Sequence, residues 1–389
     1  MASPAKLRLT HVVRRVLFWC HLSAGIAAGS IILVLSATGV LLTYQRQIEA
    51  WTDIRTYGSE PGPGDRRLPA DTLIAAVRTA NPELRVVTLT VYADRRAPAW
   101  IAAGPRSFYL NPYTAQILGE GPTRTRAFFA ETIEWHRWLS AAGERRQTAK
   151  TITGACNLAF LFLVTTGFCL WLPRGWTRPQ LRAVTWFKRG LRGKARDFNW
   201  HNTIGLWTAV PLFVIVAGGV VISYTWASDL VFRAAGEAPP ILPAAAPAAA
   251  VAEDPRRAAG VPLETMLGRA ERQRDDWRTI TMRVPSASSD VVGFTIDSGT
   301  GGQPQKRGTL TLSTATADVV KWEPFQALTM GRRWRSYMRW VHSGEVAGIA
   351  GQTVAGLASL GAGVLVCTGV SLALRRLSAY RRRRELSPP

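Results

Sequence analysis

The chain has 389 residues, 47% hydrophobic and 19% charged, with 48 Lys+Arg against 26 Asp+Glu and a formal net charge of +22. Its apolar residues gather in four stretches, 22–44, 152–172, 203–227 and 349–374. Each has about 20 residues or more, enough for a helix to cross a ~30 Å hydrocarbon core, which excludes a soluble protein.

Taken in order, residues 1–44 form a basic arm and a first span. Lys6, Arg8, Arg14 and Arg15 precede an apolar run about twice the length of a signal-peptide core, so the segment reads as a retained anchor. Residues 45–135 are polar, with a helix expected near 69–80 and alternating strands in 85–92 and 99–110. Residues 136–174 hold a histidine-bearing segment and the second span, 175–198 a basic loop, and 199–228 the third span. Residues 229–335 open with a Pro/Ala linker at 239–252 and then repeat the order: a helix near 263–274 and strands near 279–284 and 291–296. Residues 336–375 bring a second histidine-bearing segment with the fourth span, and 376–389 a basic tail.

Segments 1–20, 174–198 and 375–389 hold 18 of the basic residues but two acidic ones, Asp197 and Glu385. Basic flanks beside spans place those segments in the cytoplasm, against anionic lipid, and leave the two polar segments outside. The run Arg381–Arg384 is then an inside anchor, and the charge argues for a lipid bilayer as partner and against nucleic acid. The expected fold is a membrane α-helical bundle of four main transmembrane helices, internally duplicated, with two small α+β domains in the periplasm. The four cysteines form no C-x-x-C and read as packing residues.

The duplication is visible in the spans. At an offset of 180, His21, Gly25, Ala37, Gly39, Val40 and Tyr44 match His201, Gly205, Ala217, Gly219, Val220 and Tyr224. At an offset of 202, Thr151, Gly154, Leu163, Thr166, Gly167 and Arg174 match Thr353, Gly356, Leu365, Thr368, Gly369 and Arg376.

Four of the five histidines stand just before or at the start of a span, each beside tryptophan: Trp19-Cys-His21, Trp135-His136, Trp200-His201 and Trp340-Val-His342. His11 has no counterpart and reads as a surface residue. On the expected topology His21 and His201 lie at the inner face and His136 and His342 at the outer face. Each copy thus supplies one histidine per side. Imidazole suits iron, zinc or copper, and paired axial imidazoles are one way to hold a haem. Gly25 and Gly205, four residues after their histidines, would let a flat macrocycle approach the backbone. Arg137 and Arg339, with other nearby arginines, could meet its propionates. A lone interfacial histidine is ordinarily an amphipathic residue, and G-x-x-x-G spacing ordinarily means helix packing. Four histidines at matched positions are harder to dismiss.

The segment Tyr109-Leu-Asn-Pro-Tyr-Thr-Ala-Gln-Ile-Leu-Gly119 resembles the strand–turn–strand signature of PepSY domains. Trp340-Val-His342-Ser-Gly-Glu345, followed by Val366-Cys-Thr-Gly369, is similar to the signature leading into the last span of the PepSY-associated transmembrane helix family. The same pattern returns as Trp135-His136-Arg-Trp and Val164-Thr-Thr-Gly167. Asp297-Ser-Gly-Thr300 is a loose counterpart of the first domain's Asn-Pro-Tyr-Thr. The resemblance implies a bacterial inner-membrane siderophore reductase with two b-type haems. It implies His21 with His201 at the inner haem iron and His136 with His342 at the outer one. A ferric siderophore, of hydroxamate type, would be reduced in the periplasm to release Fe(II). No flavin or nicotinamide fingerprint names the electron donor. Two rival readings are a regulatory or ligand-binding PepSY module without redox activity, which leaves the histidines unexplained, and a metal-ion permease. Against the permease, the span interiors lack Asp, Glu and Lys.

Overall fold

A computed structural model describes residues 4–172, 177–240, 260–286 and 289–385. Most of the 239–252 linker, and Arg174 among the repeat matches, lie outside the described residues, as do the side chains of His11, Arg383 and Arg384. The chain divides into two compact units, one of residues 1–43, 130–231 and 337–389 and the other of residues 44–129 and 232–336.

The first unit is built on four helices long and apolar enough to cross a membrane. They are α1 (Pro4–Leu41), α5 (Arg145–Trp171), α7 (Gly193–Ser223) and α11 (Gly348–Glu385). The four expected spans fall on these helices and their ends. α1 packs on both α5 and α11, and so does α7, which puts α1 and α7 across the bundle from each other. The inside of the bundle is made of small and medium residues, among them Ala28, Ile32, Leu212, Val216, Ala358 and Ala362. Large apolar side chains point outward instead: Ile26, Trp207, Val210 and Leu357 are each about 60% exposed or more. Lipid tails solvate such side chains as well as a core would, so close backbone packing of small residues is left to hold the helices together. The short α6 (Arg178–Thr185) packs on α7. Arg14 donates to the carbonyls of Leu170 (2.7 Å) and Leu172 (3.1 Å), which satisfies the C-terminal end of α5.

The second unit contains an eight-stranded antiparallel sheet in the order β4-β3-β2-β1-β5-β6-β7-β8. The strands are β1 (Val86–Tyr92), β2 (Ala99–Ala103), β3 (Arg106–Leu110), β4 (Ile117–Glu120), β5 (Thr279–Arg283), β6 (Val291–Asp297), β7 (Arg307–Ser313) and β8 (Val319–Pro324). Two separate small domains were the expectation. β1 instead pairs with β5 from Thr88↔Arg283 to Tyr92↔Thr279, so the two polar segments share one sheet. Pairing them closes two edges that would otherwise leave unpaired backbone groups.

Helices α3 (Ala70–Ala80) and α9 (Leu263–Glu271) cover one face. Leu73, Ile74 and Val77 with Met266 and Leu267 bury against Leu89, Ile101, Phe108, Ile280, Met282, Phe294 and Leu310. The two helices cap each other. Asp71 accepts from the backbone N–H of Glu264 (3.0 Å), and Glu264 accepts from that of Ala70 (2.8 Å).

The Tyr109–Gly119 segment forms the expected strand, turn and strand. Asn111 Oδ1 accepts from the Tyr113 N–H (2.9 Å), and Ala115 takes a left-handed φ of 58°. Its counterpart is not Asp297–Thr300, which begins on the last residue of β6. The β7–β8 turn repeats it: Ser313 Oγ accepts from the Ala315 N–H (3.3 Å), and Ala317 has φ 61°. Asn111 and Ser313 are 202 apart, the offset already seen in the spans. The sequence motif does not carry over, because Ser replaces Asn and no proline follows.

The remaining helices are α2 (Gln45–Tyr57), α4 (Arg124–Trp138), α8 (Thr225–Ala234) and α10 (Met330–His342). In the second unit Arg126 at the start of α4 donates to both Asp53 and Glu49 of α2, at 2.6 and 3.1 Å.

Candidate functional site

His21 lies on α1 and His201 on α7, the two helices that face each other across the bundle. His21 Nδ1 is 2.9 Å from Thr166 Oγ1, and His201 Nδ1 is 3.0 Å from Thr368 Oγ1. A hydroxyl has one proton. Thr166 gives its own to the Phe162 carbonyl (2.7 Å) and Thr368 to that of Val364 (2.7 Å). Each threonine therefore accepts from the histidine Nδ1–H, which in the neutral ring leaves Nε2 its lone pair. A Cβ on Gly167 would stand 3.3 Å from His21 Cε1, and one on Gly369 would stand 3.3 Å from His201 Cε1.

His136, on α4, and His342, the last residue of α10, form a second pair with ring centroids 6.1 Å apart and planes inclined by 54°. Thr38 Oγ1 gives its proton to the Val34 carbonyl (2.7 Å) and accepts from His136 Nδ1 (2.8 Å). His342 Nδ1 donates to the backbone carbonyl of Ile215 (2.7 Å), an atom that can only accept. All four imidazoles are thus anchored through Nδ1, and a neutral ring held in this way presents Nε2, the form in which histidine binds metal. Desolvation by the surrounding protein, then the neighbouring charges of His342, Arg137 and Arg339, hold the His136 imidazole down at about 3. Burial likewise lowers His342.

A glycine also faces each ring here. A Cβ on Gly39 would lie 3.8 Å from His136 Cε1 and 3.5 Å from Ser359 Oγ; one on Gly219 would lie 3.2 Å from His342 Cε1 and 2.9 Å from Asn157 Nδ2. Thr38 and Ile215 lie 17 and 14 residues beyond His21 and His201 on the same helices, so the pairs are separated by roughly 20–25 Å along the bundle.

The sequence-derived residues therefore separate into three groups. His136 and His342 have ring centroids 6.1 Å apart, and His21 is near enough to His201 to act on it electrostatically. Arg137 and Arg339 act electrostatically on His136, and each guanidinium lies over a tryptophan, Trp138 at 4.2 Å and Trp340 at 4.9 Å. Gly25 and Gly205 face leucines instead: a Cβ there would meet Leu163 at 3.8 Å and Leu365 at 3.6 Å. The rings touch Gly39, Gly167, Gly219 and Gly369, and Thr38, Thr166 and Thr368 orient them. Most of these were present among the repeat matches, where their recurrence was the available signal.

Two nitrogens each about 2.0–2.1 Å from one shared metal would set the ring centroids about 6 Å apart, which the second pair matches. Among the described residues, no three or more His, Cys, Asp or Glu side chains gather as a metal site. The donors come in twos, and a glycine beside each imidazole leaves space there; such a pair could hold a haem iron, which would supply one-electron chemistry.

These features define a multi-pass membrane protein with two pairs of ligand-competent imidazoles. Residues 18–376 match the PepSY-associated TM region family, and the chain belongs to it. Comparison with curated proteins finds no match.

Proposed function

We propose that the chain is a di-haem b electron-transfer protein of the bacterial inner membrane that reduces ferric siderophores in the periplasm. The observation that carries this reading is the set of four imidazoles, each with Nδ1–H anchored and Nε2 free, arranged in two pairs along one bundle. His21 and His201 would hold one haem at the cytoplasmic side, and His136 and His342 the other at the periplasmic side. Arg137 and Arg339 would meet the propionates of the outer group. Haem iron supplies a reversible one-electron carrier. The chain anchors all four imidazoles through Nδ1 and so aims the Nε2 of each neutral ring at its group. The basic flanks support the orientation, with both termini inside and the sheet-bearing unit outside. The matched offsets in the spans, the sheet order and the reciprocal caps support an internal duplication.

The acceptor follows from ligand hardness: siderophore oxygens suit Fe(III), and Fe(II) is held far less strongly, so one electron frees the iron. Within its family we read the chain as similar to ferrioxamine reductase, which points to a hydroxamate siderophore. Purified protein should be red, with sharp bands on reduction. Once reduced, it should be reoxidised by a ferric hydroxamate siderophore while a ferrous chelator collects Fe(II); iron-free siderophore should do nothing. A correctly folded but colourless protein would sink this reading, in favour of a regulatory PepSY module or a metal-ion permease.

A further inference from the structure

Beside the first pair a groove of about 430 Å³ runs along α11, between α1 and α7. Leu33, Leu360, Gly363 and Val364 give it an apolar length. Its other end is polar, with Arg196, Asp197 and Ser371, and Trp200 beside them. Its volume is that of an ordinary small-molecule site. Asp197 is 3% exposed. It accepts from Arg196 (2.9 Å) and from the Ser371 hydroxyl (2.7 Å). Arg375 approaches at 3.5 Å. Thr368 lines the same groove, and its hydroxyl also holds His201. The groove and the first pair therefore share a wall one side chain thick.

We propose that this groove binds a membrane quinol, the electron donor of the chain; the inference rests on the electron-transfer reading above. The groove lies on helices that cross the bilayer, so its occupant comes from the lipid phase. An isoprenoid tail suits the apolar length, and a flat ring head suits Trp200. A quinol hydroxyl can donate to Asp197, which as a carboxylate has lone pairs to spare. A phospholipid phosphate would turn to Arg196 at the same end rather than to Asp197, which makes phosphatidylglycerol the competing occupant to test. Oxidising one quinol to its quinone breaks two O–H bonds and releases two electrons and two protons. The electrons leave by the Thr368–His201 wall, and two ferric siderophores take one each. The protons leave past Asp197 to the basic inner segment.

Cys367 lines the groove and is exposed, while Cys20 and Cys169 are exposed without lining it, so the chain supplies its own probe and controls. Full-length protein in detergent is labelled with a maleimide, with and without a short-tailed, fully substituted ubiquinone, and each thiol is followed by mass spectrometry. The quinone should slow labelling of Cys367 several-fold and leave Cys20 and Cys169 unchanged. In Gly363→Phe, whose new ring would fill the space toward Leu33, the quinone should make no difference. The corresponding quinol should reduce wild type faster than Gly363→Phe, whereas dithionite should reduce both alike. Equal Cys367 labelling with and without quinone would overturn the proposal, and so would protection by phosphatidylglycerol alone. If dithionite-reduced protein still passes electrons to a ferric hydroxamate in that case, only the donor site has failed. If reduced protein ignores every ferric siderophore while quinone still protects Cys367, the acceptor reading has failed and the groove stands.

Discussion

His21 and His201 both give their Nδ1–H to a threonine hydroxyl, whereas in the second pair His136 does so and His342 turns to the Ile215 backbone. The difference comes from one position. Thr38, which holds His136, corresponds at the 180-residue offset to Gly218. With no side chain there, α10 lies so close that a Cβ on Gly218 would stand 2.8 Å from the Met338 carbonyl and 3.1 Å from His342 Cβ. The imidazole then reaches the main chain directly. The first pair is oriented by hydroxyls that single substitutions can remove. His342 is oriented by where α10 sits, and a side-chain change at its acceptor removes nothing.

The largest effect should come from the ligands themselves. His201→Ala should cost mainly the haem of the first pair, and His342→Ala mainly that of the second, measured as pyridine haemochrome per protein. If His21→Ala and His342→Ala damaged the same haem and spared the other, the pairing would be wrong.

Next in size is the glycine that separates the pairs. Gly218→Val must push α10 away, an overpacking cost of about 1–3 kcal/mol, and should lower occupancy at the second pair while sparing the first. Gly25→Ala should be close to neutral, because its Cβ would meet Leu163 at an ordinary 3.8 Å. A large loss of haem in Gly25→Ala would restore that glycine to the site.

A smaller effect is expected from the hydroxyls. Thr368→Val keeps the shape but removes the hydroxyl acceptor of the His201 Nδ1–H and leaves it the Leu365 carbonyl alone, a loss of about 1 kcal/mol. Loss of such a support typically weakens metal binding about 10–100-fold. The midpoint potential of the first haem should move, that of the second should stay, and Thr368→Ser should restore it. No shift would mean that ring packing alone fixes the imidazole.

Much of this was legible in the sequence because spans and repeats are periodic signals. Four apolar stretches correspond to four helices long and apolar enough to cross a membrane, and His136 meets His342 from matched segments. The Asn-Pro-Tyr-Thr run from Asn111 marks its turn, while the run from Ser313 conceals the counterpart under different residues. The joining of both polar segments through β1 and β5 carried no local mark, since strand pairing across 191 or so residues depends on contacts that alternation alone does not encode. Gly25 and Gly205 each stand four residues after a histidine. Spacing gives a face of one helix, and here that face meets leucines of the neighbouring helices. The glycines that approach the rings lie on other helices and needed the tertiary fold to identify them.

The smallest expected effect tests whether His342 really depends on the placement of α10. Glu237 accepts from the Gly331 N–H (2.9 Å) and from the Thr329 hydroxyl (2.7 Å), at the N-terminal end of the helix whose last residue is His342. These bonds, the Gly331 one foremost, hold the Glu237 carboxyl below its ordinary range. A carboxyl lowered on folding contributes stability that is present above the ordinary glutamate range and is lost as pH falls through the lowered value. The start of α10 should therefore loosen in acid, beginning below about pH 4.5. The second haem should be released at a slightly higher pH than the first when both are followed in one titration. Acid also protonates ligand imidazoles, so the deciding comparison is Glu237→Gln, which keeps an acceptor but has no charge to lose. In that variant the second haem should be held slightly less well at neutral pH, and the carboxyl-dependent part of its acid sensitivity should be gone. Identical release curves in wild type and Glu237→Gln would show that the start of α10 has no influence on His342, and that Gly218 and the Ile215 carbonyl alone set its position.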